Sequence, residues 1–338
     1  MATVRVYLPT YQRKKLLERA LDSLRRQSFT DWVCEVHNDD PEDDGPSQLL
    51  NRIGDHRISL NQHYRNLGGT RTFNLFYRGI KEPFYSVLED DNWWEPQFLE
   101  ILLNTAAQYP DATVFWSNMK IWKEQHDGIF EDTGSTIHQF NSGDRPVECH
   151  WGTTKNVVGA IYSNGAALHR STQREDFQIP DVPFAAVETF RERMFHFPLV
   201  FVPQPLANFS VTLKSERSKN RADWVETGVM LAATFIRYAQ YNERSMCELW
   251  AEASKKQPPL TTTFLLAGMI EPACRGFFKY AQWNNWFLLL RGIIRRPHIL
   301  LRILSSRTLH PDWWSFLERH TLERFIEAGR EKVLSSLQ

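Results

Sequence analysis

The sequence carries no net charge, no long apolar run and few cysteines, and each lack removes a class of protein. Lys plus Arg and Asp plus Glu each number 40, giving a formal charge of +0 at pH 7. That balance argues against a protein that coats nucleic acid, whose usual footprint is a basic excess. Nowhere do about 18 uninterrupted apolar residues occur, so no membrane-spanning helix is expected. The four cysteines, Cys34, Cys149, Cys247 and Cys274, are scattered and form no CxxC pair. This pattern predicts reduced thiols in a cytosolic protein and no structural zinc. Met1-Ala2-Thr3-Val4-Arg5 runs straight into a strand pattern, so no signal peptide is expected. One further lack is local: no acid stands between Glu271 and Asp312.

What is present is ordinary in bulk and informative in detail. At 338 residues there is room for two domains, and 42% hydrophobic with 24% charged residues describes a globular chain. Aromatics are abundant, with 12 Trp, 22 Phe and 10 Tyr. Many belong to a core, although Trp also suits the flat faces of sugars.

The most telling stretch is Phe84-Tyr85-Ser86-Val87-Leu88-Glu89-Asp90-Asp91-Asn92-Trp93-Trp94. A short apolar run of strand length ends in three consecutive carboxylates. Strands that deliver acids at their C-terminal ends place them in the crevice where open α/β sheets bind ligands. Adjacent anions repel, so positive charge is expected beside them, from a divalent cation or from Arg and Lys. Upstream, Val4 to Leu8 alternates as a first strand and stops at the loop Pro9-Thr10-Tyr11-Gln12-Arg13. Residues 14–27 bring Leu16, Leu17, Ala20, Leu21 and Leu24 to one helical face, with Glu18, Arg19, Asp22, Arg25 and Arg26 on the other. A second strand, 32–36, leads into the acidic turn Asn38-Asp39-Asp40-Pro41-Glu42-Asp43-Asp44. A helix (47–53), a short strand (57–60), the loop Arg65-Asn66-Leu67-Gly68-Gly69 and a helix (70–79) follow. This alternation predicts an α/β domain with a mainly parallel, Rossmann-like central sheet whose acidic loops converge on one site.

These segments resemble, in order and spacing, the family 2 glycosyltransferases of the GT-A fold. Val6-Tyr7-Leu8-Pro9-Thr10-Tyr11-Gln12-Arg13 is similar to the family's opening strand and PTYNR loop, and residues 16–29 to its LLERALxSLxxQ helix. Asn38-Asp39-Asp40-Pro41-Glu42-Asp43 stands in place of the (D/N)DGSTD loop, and Asn66-Leu67-Gly68-Gly69 with Arg71 and Asn74 resembles NxGxxxARN. Leu88-Glu89-Asp90-Asp91 falls where the metal-binding DxD motif lies. The resemblance is good over roughly the first hundred residues and loose over the next hundred. Two positions depart from the pattern: Glu89 opens the metal motif with a longer acid, and Asp40-Pro41 replaces Gly-Ser with a stiffer pair.

The resemblance implies an inverting, divalent-metal-dependent transfer of a sugar from a nucleoside diphosphate donor, UDP first among them, to a saccharide or lipid-linked saccharide. It places Mn2+ or Mg2+ on Asp91, with Glu89 as a further ligand, because a hard ion stabilises charge developing on the leaving diphosphate. Asp90 then supports the ion or meets the ribose, and Asp39 reads the edge of the nucleobase. Pro9, Thr10, Tyr11 and Arg13 line the nucleoside pocket, and Arg71 meets the donor phosphates or is an ordinary surface arginine. The family's general base is an acid on a later helix; Glu188 is the first choice and Asp181 the second, the usual ED pair not being intact. No QxxRW signature is present, so one sugar per encounter is expected. His169 and His196 are further candidate ligands, although a lone histidine is more often structural. The alternative is a non-catalytic relative that binds nucleotide-sugar or glycan. A nucleotidyltransferase is disfavoured because Pro9 to Arg13 contains no glycine.

Beyond a strand at 113–116, residues 124–156 are polar and glycine-dotted, and read as long loops over the acceptor cleft. Residues 157–168 resemble a strand-loop segment of the family. A catalytic domain is expected over 1–215 and an all-helical region over 216–338, with helices near 224–241, 261–268 and 312–337. The acid-free segment interleaves Arg275, Lys279, Arg291, Arg295, Arg296, Arg302 and Arg307 with Trp283, Trp286, Phe287 and a run of Leu and Ile. That mixture suits either the headgroup region of an anionic membrane at the inner face of the plasma membrane, or packing against the catalytic domain or a homo-oligomeric partner.

Overall fold

A computed structural model describes residues 2–126, 129–139, 145–152, 154–171, 176–213, 221–256 and 258–335. The chain forms two compact units that are not contiguous in sequence. The first gathers residues 1–149, 162–181 and 195–216; the second gathers 150–161, 182–194 and 217–338. The boundary expected at 215/216 lies outside the described residues.

In the first unit the order is β1 (Val4–Thr10), α1 (Lys14–Arg25), β2 (Trp32–Asn38), α2 (Gly45–Ile53), β3 (Ile58–Gln62), α3 (Gly69–Phe76), β4 (Phe84–Val87), β5 (Trp93–Trp94), α4 (Phe98–Gln108), β6 (Val114–Glu124), β7 (Phe130–Thr136), β8 (Val147–Cys149) and β9 (Ala167–Arg170). The sheet runs β3-β2-β1-β4-β9-β6, then a last long strand (Leu199–Val211), then β5. Its first four strands are parallel, and β9 runs antiparallel between β4 and β6. Val4, Val6 and Leu8 of β1 bury one face against Leu17, Ala20, Leu21 and Leu24, the apolar stripe of α1. Both periodicities, two and 3.6, thus point to the same core. Gln27, just past α1, donates to Glu95 O (2.8 Å) and accepts from Leu99 N (3.1 Å), tying that helix to the start of α4.

Register decides where the loops go. Thr10 of β1 lies beside Asn38 of β2, and Tyr7 beside Val87 of β4. Asp39 N donates to Thr10 O (3.0 Å) and Leu88 N to Tyr7 O (2.9 Å), carrying the alignment one residue past the strand ends. The loops after β1, β2 and β4 therefore leave the sheet together.

The polar stretch 124–156 is not simply loop. β6 continues through Glu124, β7 pairs antiparallel with it, and β8 pairs with the Leu199–Val211 strand. Almost every residue of β7 is exposed, so it carries no apolar alternation and is held by ladder bonds to β6. Gly128 and Gly143 lie outside the described residues. Within 157–168 the strand occupies only its end, starting at Ala167, after a short 3-10 turn at Asn164–Ala166.

The second unit contains α5 (Val187–Glu192); the first unit resumes with β10 (Leu199–Val211). The second unit then continues with α6 (Arg221–Ala239), α7 (Glu243–Lys256), α8 (Pro258–Ile270), a 3-10 segment (Pro272–Lys279), α9 (Trp283–Arg295), α10 (Pro297–Leu304), α11 (Ser306–Leu309) and α12 (Pro311–Ser335). Helix α6 buries Val229 through Ala233 and Phe235-Ile236 almost all round, as a central helix does. Trp151 packs on Phe235 and Phe325, and Phe190 stacks on Phe316. Glu192, fully buried, accepts from Asn156 Nδ2 and Ile161 N, both at 2.5 Å, and so pins 150–161 to α5.

Candidate active site

The Glu89-Asp90-Asp91-Asn92 turn closes with Asn92 N donating to Glu89 O (3.0 Å). Asp90 is buried at the bottom. Thr10 Oγ1 donates to its Oδ2 at 2.8 Å, and Arg13 Nη1 reaches its Oδ1 at 3.2 Å. The same Arg13 nitrogen bonds Asp91 Oδ2 at 2.9 Å, so one guanidinium corner serves two carboxylates. Arg19 adds a bond to Asp91 O (2.6 Å) and another to Ser210 Oγ (3.1 Å), with its plane between the rings of Trp93 and Phe130.

The electrostatics are unbalanced. Burial pushes the Asp90 carboxyl well above the ordinary range, and the Asp91 charge beside it pushes the same way against Arg13 and Thr10. Burial also raises Asp91, with Arg13 opposing. Burial lowers Arg19 to about 10, held up only partly by Asp91. Two acids that resist ionisation beside a donor they share form a site that gains from added positive charge.

Glu89 faces another way. Its Oε2 accepts from Asn92 Nδ2 at 2.5 Å, while Asn92 Oδ1 accepts from Ser210 N at 3.0 Å. Gly165 passes so close that a Cβ there would stand 2.9 Å from both Glu89 Oε2 and Asn92 Nδ2. Trp94 Nε1 donates to Gly165 O (2.8 Å), which sets that approach.

Asp39, buried after β2, accepts from Leu67 N (2.8 Å) and Gly68 N (2.9 Å). His63 Nδ1 lies 2.8 Å from its Oδ1. A carboxylate offers about four lone-pair sites, so these three donors leave room for one more. Gly68, at φ 80°, caps α3 in a conformation open to glycine, and this aims the two amides at Asp39. Behind His63, its Nε2 meets His37 Nδ1 at 3.0 Å, and two ring nitrogens at that distance share one proton. His37 Nε2 lies 3.0 Å from Glu35 Oε1, closing a row from Asp39 to Glu35.

Pro9 and Thr10, expected in the loop, are the last two residues of β1, paired with His37 and Asn38, and Tyr11 beyond them is exposed. Gln12 adopts φ 54° and donates to Asp40 Oδ2 at 2.7 Å. Arg71 and Asp181 are brought together: Arg71 Nη2 and Nε reach Asp181 Oδ2 at 2.6 and 3.0 Å, both side chains exposed. Glu188 is half-buried in the first turn of α5, in the second unit. His169 is enclosed by Tyr77, Tyr85, Tyr162 and Phe195, an aromatic core rather than an open ligand set. His196 is exposed, with its carbonyl accepting from Thr113 Oγ1 at 3.4 Å.

The family model for glycosyl transferase family 2 matches residues 5–149, the span that contains every one of these acidic loops. Residues 5–149 of the chain thus carry a glycosyl transferase family 2 domain. The chain is similar to EpsH of Bacillus subtilis (strain 168), provisionally named a glycosyltransferase, at 21% identity over 259 residues, or 71% of this chain and 70% of EpsH. Similarity to WcaA of Escherichia coli (strain K12), provisionally named a colanic acid biosynthesis glycosyl transferase, is 23% over 116 residues, 34% of this chain and 42% of WcaA. In structure, the glycosyltransferase resembles residues 1–349 of S. aureus TarS crystallised with UDP-GlcNAc, with a TM-score of 0.56 and 14% identity over 98% of this chain and 92% of that one. The TarS crystal with UDP gives 0.54 and 15% identity. These matches carry the fold, which is GT-A.

Sequence reasoning did not single out Arg19, Asn92, Gly165 or His63. Arg19 looked like one more charge on the polar face of α1, and only the fold turns that face toward Asp91. The demand for a cation beside residues 89–91 was the one available signal.

Proposed function

We propose that this glycosyltransferase moves a sugar from a UDP-linked donor to a saccharide or lipid-linked saccharide, one residue per encounter, with inversion and with a divalent cation. One observation carries the reading: two ionisation-resistant aspartates, Asp90 buried and Asp91 half-buried, share Arg13 beside Thr10 at the mouth of β1 and β4. A hard divalent ion fits this donor set, which is all carboxylate oxygen. Among the described residues no group of three or more His, Cys, Asp and Glu forms a cage. Mg2+ or Mn2+ held by one or two carboxylates and completed by phosphate oxygens and water needs none. Asp91 is the proposed ligand, with Asp90 behind it; Glu89, tied to Asn92, is the weaker candidate. The ion, when bound, neutralises charge developing on the diphosphate. Support for UDP comes from the TarS crystals, and support for a place in saccharide biosynthesis from the name of WcaA, which gives colanic acid biosynthesis.

In this reading Thr10, Tyr11 and Pro9 line the nucleoside, and the remaining lone pair of Asp39 meets a base N–H. Arg13 holds the two aspartates in place, and Arg71 leaves Asp181 for the donor phosphates. Glu188 accepts the acceptor hydroxyl's proton as its oxygen attacks the anomeric carbon opposite the departing diphosphate. Calorimetry with UDP, GDP, CDP and dTDP, each with and without Mn2+, tests the donor and the ion. Metal-dependent binding of UDP that is lost in Asp91→Ala is expected. Binding of none of the four would overturn the reading. For the base, Glu188→Gln should lower kcat while leaving UDP affinity unchanged; if Asp181→Asn has that effect instead, the roles are exchanged.

A further inference from the structure

Helices α9 and α10 present apolar side chains where surface helices carry charge. Along α9, Trp283, Phe287, Leu290 and Ile294 recur at helical spacing on the side away from its buried residue, Leu289. Trp283 and Ile294 are each 78% exposed and Phe287 55%. On α10, Leu301 (64%) and Leu304 (53%) continue the outer face, while Ile303 packs inward. A core-facing stripe would explain one apolar side; these helices have a second.

The charge around that face has one sign. Of the seven basic residues in the acid-free segment, Arg302 is spent on Asp223 and Glu226, Arg307 on Glu318, and Lys279 on Glu243. Arg275, Arg291, Arg295 and Arg296 have no carboxylate partner among the described residues. Three of these cluster at the C-terminal end of α9, beside Ile294. A second copy of this chain is a poor occupant, since two-fold pairing through this face would set arginine against arginine with no acid in the segment. An anionic lipid surface satisfies both features at once, taking the apolar stripe below the headgroups and the arginines among them. Helix α9, with 13 residues, spans about 20 Å, so it lies in the interface rather than crossing. Among the described residues no helix is long and apolar enough to cross a membrane.

We infer that the outer face of α9 and α10 docks this glycosyltransferase on an anionic lipid bilayer. The inference is independent of the donor and metal assignments above. The test is co-sedimentation of the full chain with phosphatidylcholine vesicles, with and without phosphatidylglycerol, at low and raised salt. Binding should require phosphatidylglycerol and weaken with salt. Each arginine near an anionic surface is worth about fivefold in binding, so R291E/R295E/R296E should weaken it by at least on the order of 100-fold. W283S/I294S should weaken it at both salt levels, as loss of apolar insertion predicts. Circular dichroism and the urea-unfolding midpoint monitor folding; these are exposed positions, and both readouts should be unchanged. Absence of binding to either vesicle by folded protein overturns the inference. So does concentration-dependent dimerisation in sedimentation velocity that W283S/I294S abolishes, which would assign the face to a second copy.

Discussion

The acidic loops after β2 and β4 flank the same strand, yet they dispose of their charge in opposite ways. After β2, four acids find local donors. Asp40 accepts from Glu42 N and Gln12, Asp43 from Gly45 N, Asp44 from Gln48, and Asp39 from two amides and a histidine. The Gln12 bond and the Glu42 amide hold Asp40 below its ordinary range. After β4, Asp90 and Asp91 converge on one arginine nitrogen and both remain harder to ionise than a free aspartate. The first loop builds a shape; the second keeps an unmet demand for positive charge. Composition alone does not separate them, because both are runs of Asp and Glu.

Removing the demand should have the largest effect. Asp91→Asn is expected to cut turnover by at least about 100-fold without lowering the melting temperature, since the amide oxygen still accepts from Arg13 while one of two neighbouring negative charges is removed. Activity within a fewfold of the parent would place the chemistry elsewhere. Removing the donor instead is a stability experiment. Arg13→Met leaves the buried Asp90 and the half-buried Asp91 without their shared guanidinium and should cost about 3 kcal/mol in urea unfolding. Adding Asp91→Asn to it should restore about 1 kcal/mol or more; strict additivity would show that the acids and Arg13 do not act as a unit.

The shaped loop should respond more mildly. Asp39→Ala frees the Leu67 and Gly68 amides and should lower stability by about 1–3 kcal/mol, together with UDP affinity; an unchanged affinity would confine Asp39 to architecture. Gly165→Ala forces a methyl against Glu89 and Asn92 and should cost about 1–2 kcal/mol, with the loss removed by Glu89→Ala in the same chain. The smallest effect belongs to the far end of the histidine row. The His37 bond, then Asn61 and Arg5, hold the Glu35 carboxyl down to about 2 from an ordinary 4.5 against the cost of burial. A carboxyl lowered by folding contributes stability that is complete above 4.5 and lost as pH falls toward 2. Glu35→Gln should therefore flatten the stability profile across that window and leave neutral pH nearly unaffected.

The first hundred residues were legible because their patterns are clean. β1 and α1 show periods of two and 3.6 in succession, and the acids mark strand ends. Where pattern and structure parted, the cause is specific. β7 is nearly all exposed and has no alternation to read. β10 extends to Val211 although Pro203 and Pro205 interrupt it, the register with β6 slipping at both places; prolines ordinarily argue against a strand. α8 begins earlier than its apolar run suggests, at Pro258, because proline suits the first turn of a helix. In the site, the acids could be named from sequence, but which donors meet them could not. Arg19, Gly165 and the histidine row are set by the packing of elements far apart in the chain.

The interleaving of the two units limits how this protein can be taken apart. The chain passes between them at 149/150, 161/162, 181/182, 194/195 and 216/217. Cutting once after residue 216 does not isolate the first unit. The piece would carry Trp151 without Phe235 and Phe325, and Phe190 without Trp313 and Phe316. Those large apolar side chains would meet water, and such a fragment should aggregate where the whole chain does not. Gene fragments ending near that point are therefore poor tools for asking what the helices do, and substitutions on the surface of the intact chain are the better ones.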